Sequence, residues 1–328
     1  MDMKDTAINV LKILEESPGP VSGERIAEQL GITRSAVWKQ IRELRRLGYG
    51  ISSSRVEGYH LETKTDRLLP YEINKMLRTR VIGRQIRQFD STASTGWVAK
   101  KLAAETDPEN LHGMVIIAEE QTGGVGRLGR AWVSPAGGIW ATILLKPKIP
   151  LDHLFMITMA GSVAIARAIR KEYDISALIK WPNDIFIGDK KVAGLLLELA
   201  AEADTVHYAL LGLGIDANVS LDDLSSNLRE TVTTLQAEVG REVDRVALLA
   251  RVLREFELRY QQLEDGEYDS IIREWKSLSR TLDHRVAIKT VNKTFSGEAI
   301  DIDEHGALII RKDNGKIERV IAGDCFQL

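Results

Sequence analysis

Two short helical patterns lie next to each other in residues 21–48, VSGERIAEQLGITRSAVWKQIRELRRLG, and they restrict the possible folds more than any other segment. Ser22 and Thr33 are suited to cap the starts of the two helices, and Gly31 comes just past the end of the first. A short helix, a tight turn with glycine and a second helix form the helix-turn-helix pattern. The alternating residues 49–61, YGISSSRVEGYHL, predict two short strands after it, which we call the wing. The apolar residues on one side of the helix pair are Ala27, Leu30, Ile32, Val37, Ile41 and Leu44.

Positive charge is concentrated in this segment. Residues 33–58 contain six arginines or lysines and two glutamates, a local net charge of +4, whereas the whole chain has a net charge of −3. A basic second helix followed by a wing favours DNA binding over the alternative, a small helical docking domain with a solvated basic face. Trp38 is also compatible with a half-buried core position. The predicted DNA-contacting residues are Ser22, Thr33, Arg34, Ser35, Trp38, Lys39, Arg42 and Arg55.

The composition indicates a soluble protein of the cytoplasm. A chain of 328 residues with 44% hydrophobic and 28% charged residues is ordinary for a globular protein of two or three domains. Cys325 is the single cysteine, which excludes an internal disulfide framework and fits a reducing compartment. No signal-peptide pattern is present, and the longest uncharged run, residues 155–166, is too short to span a bilayer. We therefore expect no membrane partner.

Residues 1–64 are the predicted winged helix-turn-helix domain. After them the pattern of polar and apolar residues indicates further segments of different structure. Residues 65–83 are polar, contain a proline and predict a linker with one short helix. Residues 84–272 combine hairpin-like strands with separate helices, which favours an α+β domain with a mixed sheet over a doubly wound sheet. Residues 273–328 alternate apolar and polar positions between turns and predict a small SH3-like β-barrel. The predicted fold class is thus a multidomain α+β protein.

A glycine-rich segment in the central domain predicts an anion-binding loop. Residues 123–130, GGVGRLGR, which we call the glycine loop, lack the Gly-Lys-Ser/Thr of a P-loop. Successive backbone N–H groups in such a loop form a concave anion site, and Arg127 and Arg130 add guanidinium groups suited to phosphate or carboxylate oxygens. The alternative is a purely structural turn, in which two arginines among glycines have little use.

Three further segments supply polar groups at strand ends. KWPND, residues 180–184, presents Asn183 and Asp184 at a turn, either as a ligand site or as an ordinary Asx turn. DKKVAGLLLEL, residues 189–199, places Lys191 near the start of an apolar strand, and FDSTAST, residues 89–95, offers hydroxyls that bind a ligand or cap a helix. No catalytic triad and no metal-ligand spacing is evident in the sequence, so the available chemistry is charge neutralisation by cations and backbone donors.

These motifs, in this order, resemble the biotin–protein ligase family. STA, EEQTGGVGRLGRAWVSPAGG, KWPNDI, DKKVAGLLLE and GLGIDAN resemble its ligase domain, residues 1–64 resemble the winged helix of its bifunctional branch, and residues 297–324 resemble its C-terminal domain. The resemblance implies that biotin's carboxylate attacks the α-phosphate of ATP with Mg²⁺ present, giving biotinoyl-5′-AMP. A lysine of a biotin carboxyl carrier domain then accepts the biotinyl group.

The resemblance also implies roles for individual residues. Arg127 and Lys191 would act at the reacting oxygens, and Asp184 would orient the acceptor lysine. The implied biotin-binding residues are Ser91, Thr92, Ala93, Gln121, Val125, Gly126, Arg127, Lys191 and Gly194. The implied ATP-binding residues are Gly124, Arg127, Arg130, Trp132, Asn183, Lys191 and Asp216.

Three positions depart from the family pattern. Val125 stands where the family's loop usually has arginine, and Ala93 and Asp216 stand where asparagine is common. A carboxylate contact near Val125 would then rest on the backbone alone.

The resemblance finally implies partners. Ordering of the glycine loop by the adenylate would create a homodimer that binds operator DNA and represses biotin genes. Two alternatives remain open at this point: a biotin-sensing transcription factor without catalysis, and a ligase for a related acid such as lipoate.

Overall fold

The computed structural model describes residues 3, 5–54, 56–202, 205–290 and 293–328. The chain divides into two compact units, residues 1–75 and residues 76–328. The predicted DNA contact Arg55 lies outside the described residues.

The N-terminal unit is a winged helix-turn-helix, as predicted. Its second and third helices begin at the predicted caps, because the Ser22 hydroxyl accepts from Arg25 N (3.1 Å) and the Thr33 hydroxyl accepts from Ala36 N (3.2 Å). Gly31 ends the second helix with a φ of 62°, a conformation that favours glycine. The elements are α1 (Asp5–Glu16), α2 (Gly23–Leu30), α3 (Arg34–Arg46), the antiparallel wing β1 (Gly50–Ser54) and β2 (Gly58–Thr63), and α4 (Pro70–Met76).

The segment predicted as a linker, residues 65–83, is folded. In its first half, Leu69 is fully buried in the N-terminal core, and Tyr49 OH donates to the Glu72 carboxylate (2.7 Å). In its second half, the Glu257 carboxylate accepts from the backbone N–H groups of residues 80–82, which fixes them to the second unit. The boundary between the two units, at residues 75 and 76, falls inside the predicted linker. Before the boundary an apolar side chain of this segment packs in the first unit, and after it the backbone N–H groups of the segment are bound within the second unit.

A seven-stranded mixed sheet forms the centre of the second unit and confirms the α+β prediction. β3 and β4 are parallel, and all other neighbours in the order β3-β4-β5-β9-β8-β7-β6 are antiparallel. The strands are β3 (Ile86–Thr92), β4 (Val115–Gln121), β5 (Ile139–Leu145), β6 (Ala177–Lys180), β7 (Asp184–Ile187), β8 (Lys190–Glu202) and β9 (Thr205–Ile215).

Helices cover both faces of this sheet. Successive residues of a strand point to opposite faces, so the side chains of Leu210 and Leu211 lie on different sides. Leu210 packs in the cluster that contains Leu102 of α5, whereas Leu211 lies beside Gly161 of α6. A Cβ at Gly161 would lie 2.6 Å from Leu195 Cδ2, so this glycine permits the close approach of α6. The helices are α5 (Thr95–Glu105), α6 (Met156–Tyr173), α7 (Ser226–Thr231), α8 (Leu235–Val239), α9 (Arg245–Glu264) and α10 (Tyr268–Ser277).

Residues 151–173, which contain α6 and the uncharged run noted in the sequence, are long and apolar enough to cross a membrane. In the structure 78% of this segment's most apolar window is buried. Its apolar surface is thus used for packing on the sheet and on α9, as in the core helix of a globular domain.

The C-terminal region is an antiparallel five-stranded sheet in the order β13-β12-β11-β10-β14. Its alternation buries one side of each strand, including Val286, Ile288 and Ile310, which confirms the all-β prediction. Its closure into an SH3-like barrel stays a prediction. α10 crosses the predicted boundary at residues 272 and 273, where no helix was expected. The strands are β10 (His284–Lys289), β11 (Thr294–Ile302), β12 (Leu308–Arg311), β13 (Ile317–Val320) and β14 (Asp324–Gln327).

Candidate functional site

A cavity of about 570 Å³ lies on the face of the central sheet that carries α5. Gly212 and Gly214 of β9 contribute to its wall, and they leave room because they have no side chains. We call this space the central cavity. Its volume is within the range of sites that bind small molecules, about 300–1,000 Å³.

The structure brings most of the predicted ligand-binding residues to the central cavity. Ser91, Thr92 and Ala93 are exceptions, since they lie at the end of the edge strand β3 and just beyond it and are not among the lining residues. Gly124 is also outside the lining, although its neighbours in the loop are part of it. The predicted residues that line the cavity are Gln121, Val125, Gly126, Arg127, Arg130, Trp132, Asn183, Asp184, Lys191, Gly194 and Asp216.

The glycine loop is a short hairpin at this cavity. Trp132 N donates to Gly124 O (2.9 Å), and Gly126 N donates to Arg130 O (2.8 Å). A β-bridge joins Val125 and Ala131 between these bonds. The Val125 side chain is 53% exposed, so the position where the family usually has arginine is open to solvent and to the cavity.

Both arginines of the loop reach the C-terminal sheet. Arg127 donates from Nη1 to Asn183 Oδ1 (3.1 Å) and from Nη2 to Gly323 O (2.8 Å). Arg130 forms an ion pair with Asp324, with Nη1 at 3.1 Å from Oδ1. Burial lowers the pKa of Arg127, whereas the hydrogen bonds from Arg130 lower the pKa of Asp324. The loop is therefore held by β14 and by the turn at Asn183.

The β7–β8 hairpin brings a lysine and a carboxylate together. Asp184 pairs with Gly194 in the strand register, and Lys191 Nζ lies 2.5 Å from Asp184 Oδ1. The amide of Asn183 is fixed from both ends, because its Nδ2 donates to Leu195 O and its Oδ1 accepts from Arg127. Cations and a positioned amide thus meet on one side of the cavity.

Trp132 covers two glycines of the sheet. A Cβ at Gly214 would lie 2.7 Å from Trp132 Nε1, and a Cβ at Gly194 would lie 3.1 Å from its Cη2. Lys191 Nζ is 4.7 Å from the centre of the indole ring, within cation–π distance. The indole Nε1 is buried and has no hydrogen-bond partner among the described residues. The ring is therefore packed on the sheet without a polar contact of its own.

Asp216 is a buried carboxylic acid that lines the central cavity. Its residue is 5% exposed, and burial raises the pKa of its carboxyl to about 7, while Lys191 opposes this shift. The group therefore changes charge near neutral pH, in a position where the family often has a neutral asparagine.

Several cavity residues were not predicted from the sequence. Thr95 lines the cavity and donates from N (2.9 Å) and Oγ1 (3.0 Å) to Gln121 Oε1, whose amide also donates to Ser134 Oγ (3.0 Å). Thr95 is the last residue of the hydroxyl run FDSTAST, but the residues of this run named as ligand-binding were Ser91, Thr92 and Ala93. Lys180 lies 5.1 Å from the Phe186 ring, and burial lowers its pKa. For Asp324 no local signal exists, because it meets the loop only through the fold.

The N-terminal unit presents the predicted DNA contacts on its surface. Trp38 is 52% exposed and is not part of the N-terminal core cluster, and Arg42 lies over its ring at 4.7 Å. Val37, Ile41 and Leu44 on the opposite side of α3 are fully buried. The exposed residues of the predicted set are Ser22, Thr33, Arg34, Ser35, Trp38, Lys39 and Arg42.

Three segments of the chain match known families. Residues 88–216 match the Biotin/lipoate A/B protein ligase family, residues 6–60 match an HTH domain, and residues 281–327 match the Biotin protein ligase C terminal domain. These matches cover the regions in which the motifs were found.

Named relatives match more than nine-tenths of the chain. The sequence is 36% identical over 305 residues to the bifunctional ligase/repressor BirA of Bacillus spizizenii, with 93% of each chain covered. It is 27% identical to the protein of the same name from Escherichia coli, over 95% of this chain and 94% of that one. The biotin protein ligase of Aquifex aeolicus, solved with biotin and ATP, shares the fold with a TM-score of 0.65 at 24% identity, over 75% of this chain and 99% of that chain. The chain therefore belongs to the family of bifunctional ligase/repressors.

Proposed function

We propose that the central cavity joins biotin to AMP from ATP and then passes the biotinyl group to a lysine of a carrier protein, and that the N-terminal unit represses transcription. Ligase and repressor activities follow from membership in the family of bifunctional ligase/repressors. The observation that carries the proposed site is the convergence of Arg127 and Lys191 on one cavity whose wall is lined by glycines. Two anions must meet there, and fixed cations reduce their repulsion.

In the first step a biotin carboxylate oxygen forms a bond to the α-phosphorus of ATP, and the bond to pyrophosphate breaks. Arg127 and Lys191 would contact the oxygens that carry the charge. Gly124, Gly126 and Arg130 would close the loop over them, while Trp132, Asn183 and Asp216 would lie beside the nucleotide. Because the loop also excludes water, the mixed anhydride would be protected from hydrolysis.

Biotin would lie along the glycines of the sheet. Gly194 and Gly214 lack side chains, but the Trp132 ring covers both of them, so a bound ligand ring would displace the indole to approach this backbone. Gln121, Ser91 and Thr92 would bond the ureido group, with Ala93 and Val125 nearby. Gln121 already has a fixed orientation, since it accepts from Thr95 and donates to Ser134.

Mg²⁺ is part of the proposal as the counter-ion that accompanies ATP and neutralises its phosphate charge. The carboxylates of Asp184 and Asp216 line the cavity and are oxygen donors of the kind that Mg²⁺ prefers. The residues present therefore fit the ion.

In the second step the lysine of a biotin carboxyl carrier domain attacks the carbonyl carbon of the mixed anhydride, and AMP leaves. The attacking amine must be neutral and correctly placed. Asp184 would orient it, since its carboxylate lies at the cavity within 2.5 Å of another ammonium group, that of Lys191.

Repression would depend on the adenylate through dimerisation. The tip of the glycine loop exposes two apolar side chains, Val125 (53%) and Leu128 (69%), which a second subunit would cover once the loop is fixed by ligand. Two helix-turn-helix units would then reach the half-sites of an operator in the cytoplasm.

Mass spectrometry of a purified carrier domain tests the ligase site. After incubation with protein, biotin and ATP, we expect a mass gain of one biotinyl group; no gain would overturn the proposal. A parallel incubation with lipoate tests the alternative substrate, which the description of the matching ligase family includes. A mobility shift on a biotin-gene promoter, with and without biotin and ATP, tests the switch. Binding that is absent or independent of both ligands would contradict it.

A further inference from the structure

Two histidines and an aspartate from distant parts of the chain meet outside the central cavity. Asp152 and His153 lie in a short 3₁₀ turn before α6, and His305 lies in the turn between β11 and β12. One metal-binding atom of each residue lies within 4.8 Å of those of the other two. Within the part of the chain that the structure describes, this is the one group of three or more such residues.

The two imidazoles are held side by side. His153 stacks on the Tyr268 ring with centroids 4.1 Å apart, and it meets His305 edge to face at 4.6 Å. His153 Nδ1 lies 2.7 Å from Asp152 Oδ1, so a ring nitrogen and a carboxylate oxygen, both possible metal ligands, are already close together. His305 Nδ1 is buried and has no hydrogen-bond partner among the described residues. Such an unpaired nitrogen costs free energy that a metal bond would recover.

We propose that Asp152, His153 and His305 bind a zinc ion. Two imidazole nitrogens and one carboxylate oxygen are ligands that Zn²⁺ accepts, at distances that place the ligands of a tetrahedral site about 3.4 Å apart. The arrangement is compatible with this value, since His153 Nδ1 lies 2.7 Å from Asp152 Oδ1 and the ligand atoms of the three residues all lie within 4.8 Å of one another. Small side-chain rotations complete the geometry, because Asp152 is exposed and both histidines are partly exposed.

The fourth position would be open. Glu304 Oε1 lies 3.7 Å from His305 Nε2, the ring nitrogen that faces away from a metal bound at Nδ1, so water would complete the coordination. Two nitrogen ligands favour Zn²⁺ over Mg²⁺ and Ca²⁺, which prefer oxygen. The site is thus chemically distinct from the Mg²⁺ that accompanies ATP.

A metal here would connect the C-terminal sheet to the central domain. Gly306, next to His305, packs against α6 so closely that a Cβ would lie 2.5 Å from Met159 Sδ. Its carbonyl also accepts from Trp181 Nε1 (3.2 Å), and Trp181 lies two residues before Asn183 of the cavity. Zinc would therefore stabilise the contact between the β11–β12 turn and the segment that carries the ligase residues.

Zinc titration of the full-length protein tests this site. After treatment with a chelator, the wild type should take up one equivalent of Zn²⁺ in competition with a chromophoric chelator, and Mg²⁺ should not displace it. His153→Gln and His305→Gln should each weaken binding about tenfold or more. His207→Gln is the matched control, because this exposed histidine also lies beside a carboxylate, with Nε2 3.6 Å from Glu202 Oε2, but is outside the cluster.

A second measurement separates metal binding from damage to the fold. Zn²⁺ should raise the thermal midpoint of the wild type and of His207→Gln by several degrees, and of neither cluster variant. Both cluster variants should still transfer biotin, which shows that they are folded. No zinc uptake by the wild type, or equal uptake by all four proteins, would overturn the proposal. If a cluster variant fails to fold, Asp152→Asn at the exposed ligand decides the question by the same titration.

Discussion

Arg130 and Asp324 are 194 positions apart in the chain and form a two-armed ion pair, with Arg130 Nη1 at 3.1 Å from Asp324 Oδ1. The neighbouring Gly323 carbonyl accepts from Arg127 Nη2 at 2.8 Å. The first residue of β14 and the glycine just before this strand thus hold both arginines of the glycine loop. The C-terminal sheet contributes to the site by restricting this loop.

Asp324→Asn should make the glycine loop more mobile. The loss of the ion pair should change the free energy of unfolding by less than about 1 kcal/mol, because the Arg130 side chain is 60% exposed. Trypsin should nevertheless cleave after Arg127 or Arg130 several-fold faster, which mass spectrometry of the fragments measures.

The matched control for this change is Asp313→Asn. Asp313 forms a similar two-armed pair with Arg285 (both contacts 2.7 Å) in the same sheet, but does not touch the loop. Asp313→Asn should leave the rate of trypsin cleavage in the glycine loop unchanged. Equal cleavage rates in Asp324→Asn and the wild type would show that β14 does not restrain the loop.

Lys191→Ala should reduce adenylate formation by about 100-fold or more, because a cation that stabilises charge at the reacting oxygens is lost. Exchange of pyrophosphate into ATP in the presence of biotin measures this step. The neighbouring Lys190→Ala is the control, since Lys190 is exposed and donates to Arg229 O (3.2 Å). Unchanged exchange in Lys191→Ala would place the reacting oxygens elsewhere.

Asp216→Asn should stabilise the protein, and more so as pH rises. In the folded state burial raises the pKa of Asp216 from 3.8 to about 7. Between these values the unfolded chain loses its proton first, so ionisation of Asp216 reduces stability progressively up to about pH 7 and by a constant amount above it. The neutral amide avoids this cost, which is on the order of 4 kcal/mol at pH 8.

Urea unfolding of both proteins between pH 5 and pH 8 measures this difference. Replacement of the exposed carboxylate of Asp223 by asparagine should give a small difference that does not grow with pH. If the difference in free energy of unfolding between Asp216→Asn and the wild type were constant from pH 5 to pH 8, it would contradict the raised pKa.

Lys39→Ala should weaken operator binding mainly through the phosphate backbone. One lost phosphate contact reduces the slope of log K against log salt by about 0.9, which binding titrations at several salt concentrations measure. Lys12→Ala is the control, because Lys12 is exposed on α1 of the same unit and is outside the predicted DNA-contacting set. Equal slopes for Lys39→Ala and the wild type would remove Lys39 from the interface.

Local features were predictable because neighbours in the sequence determine them. Ser22 and Thr33 cap helices through bonds to residues three positions ahead, and the alternation in β10 to β14 follows from burial of one face. The order of the seven strands in the central sheet was not predictable in detail. The succession of hairpin-like strands nevertheless indicated an α+β domain with a mixed sheet. The apolar strand predicted within residues 189–199 is part of β8, which pairs with β7 across a turn at Gly188 that has a φ of 55°.

The remaining differences come from contacts between distant segments. The sequence predicted a linker with one short helix over residues 65–83 because the segment is polar; α4 is that helix, but Leu69 and Ile73 are fully buried. The hydroxyls of Ser91 and Thr92 were predicted at the ligand, whereas Thr95 lines the cavity, because α5 begins there and directs its first residue inward. Asp324 contacts the glycine loop only because the last strand, β14, folds next to it.

The indole of Trp132 rests on Gly194 and Gly214, with its N–H unsatisfied and an ammonium group 4.7 Å from its ring centre. Any molecule that settles on the same two glycines must push this ring aside or slide beneath it. Either event changes the polarity around the indole, so the fluorescence emission of Trp132 should change when the site is occupied. Binding of a substrate would be detected in this way before the chemical reaction takes place.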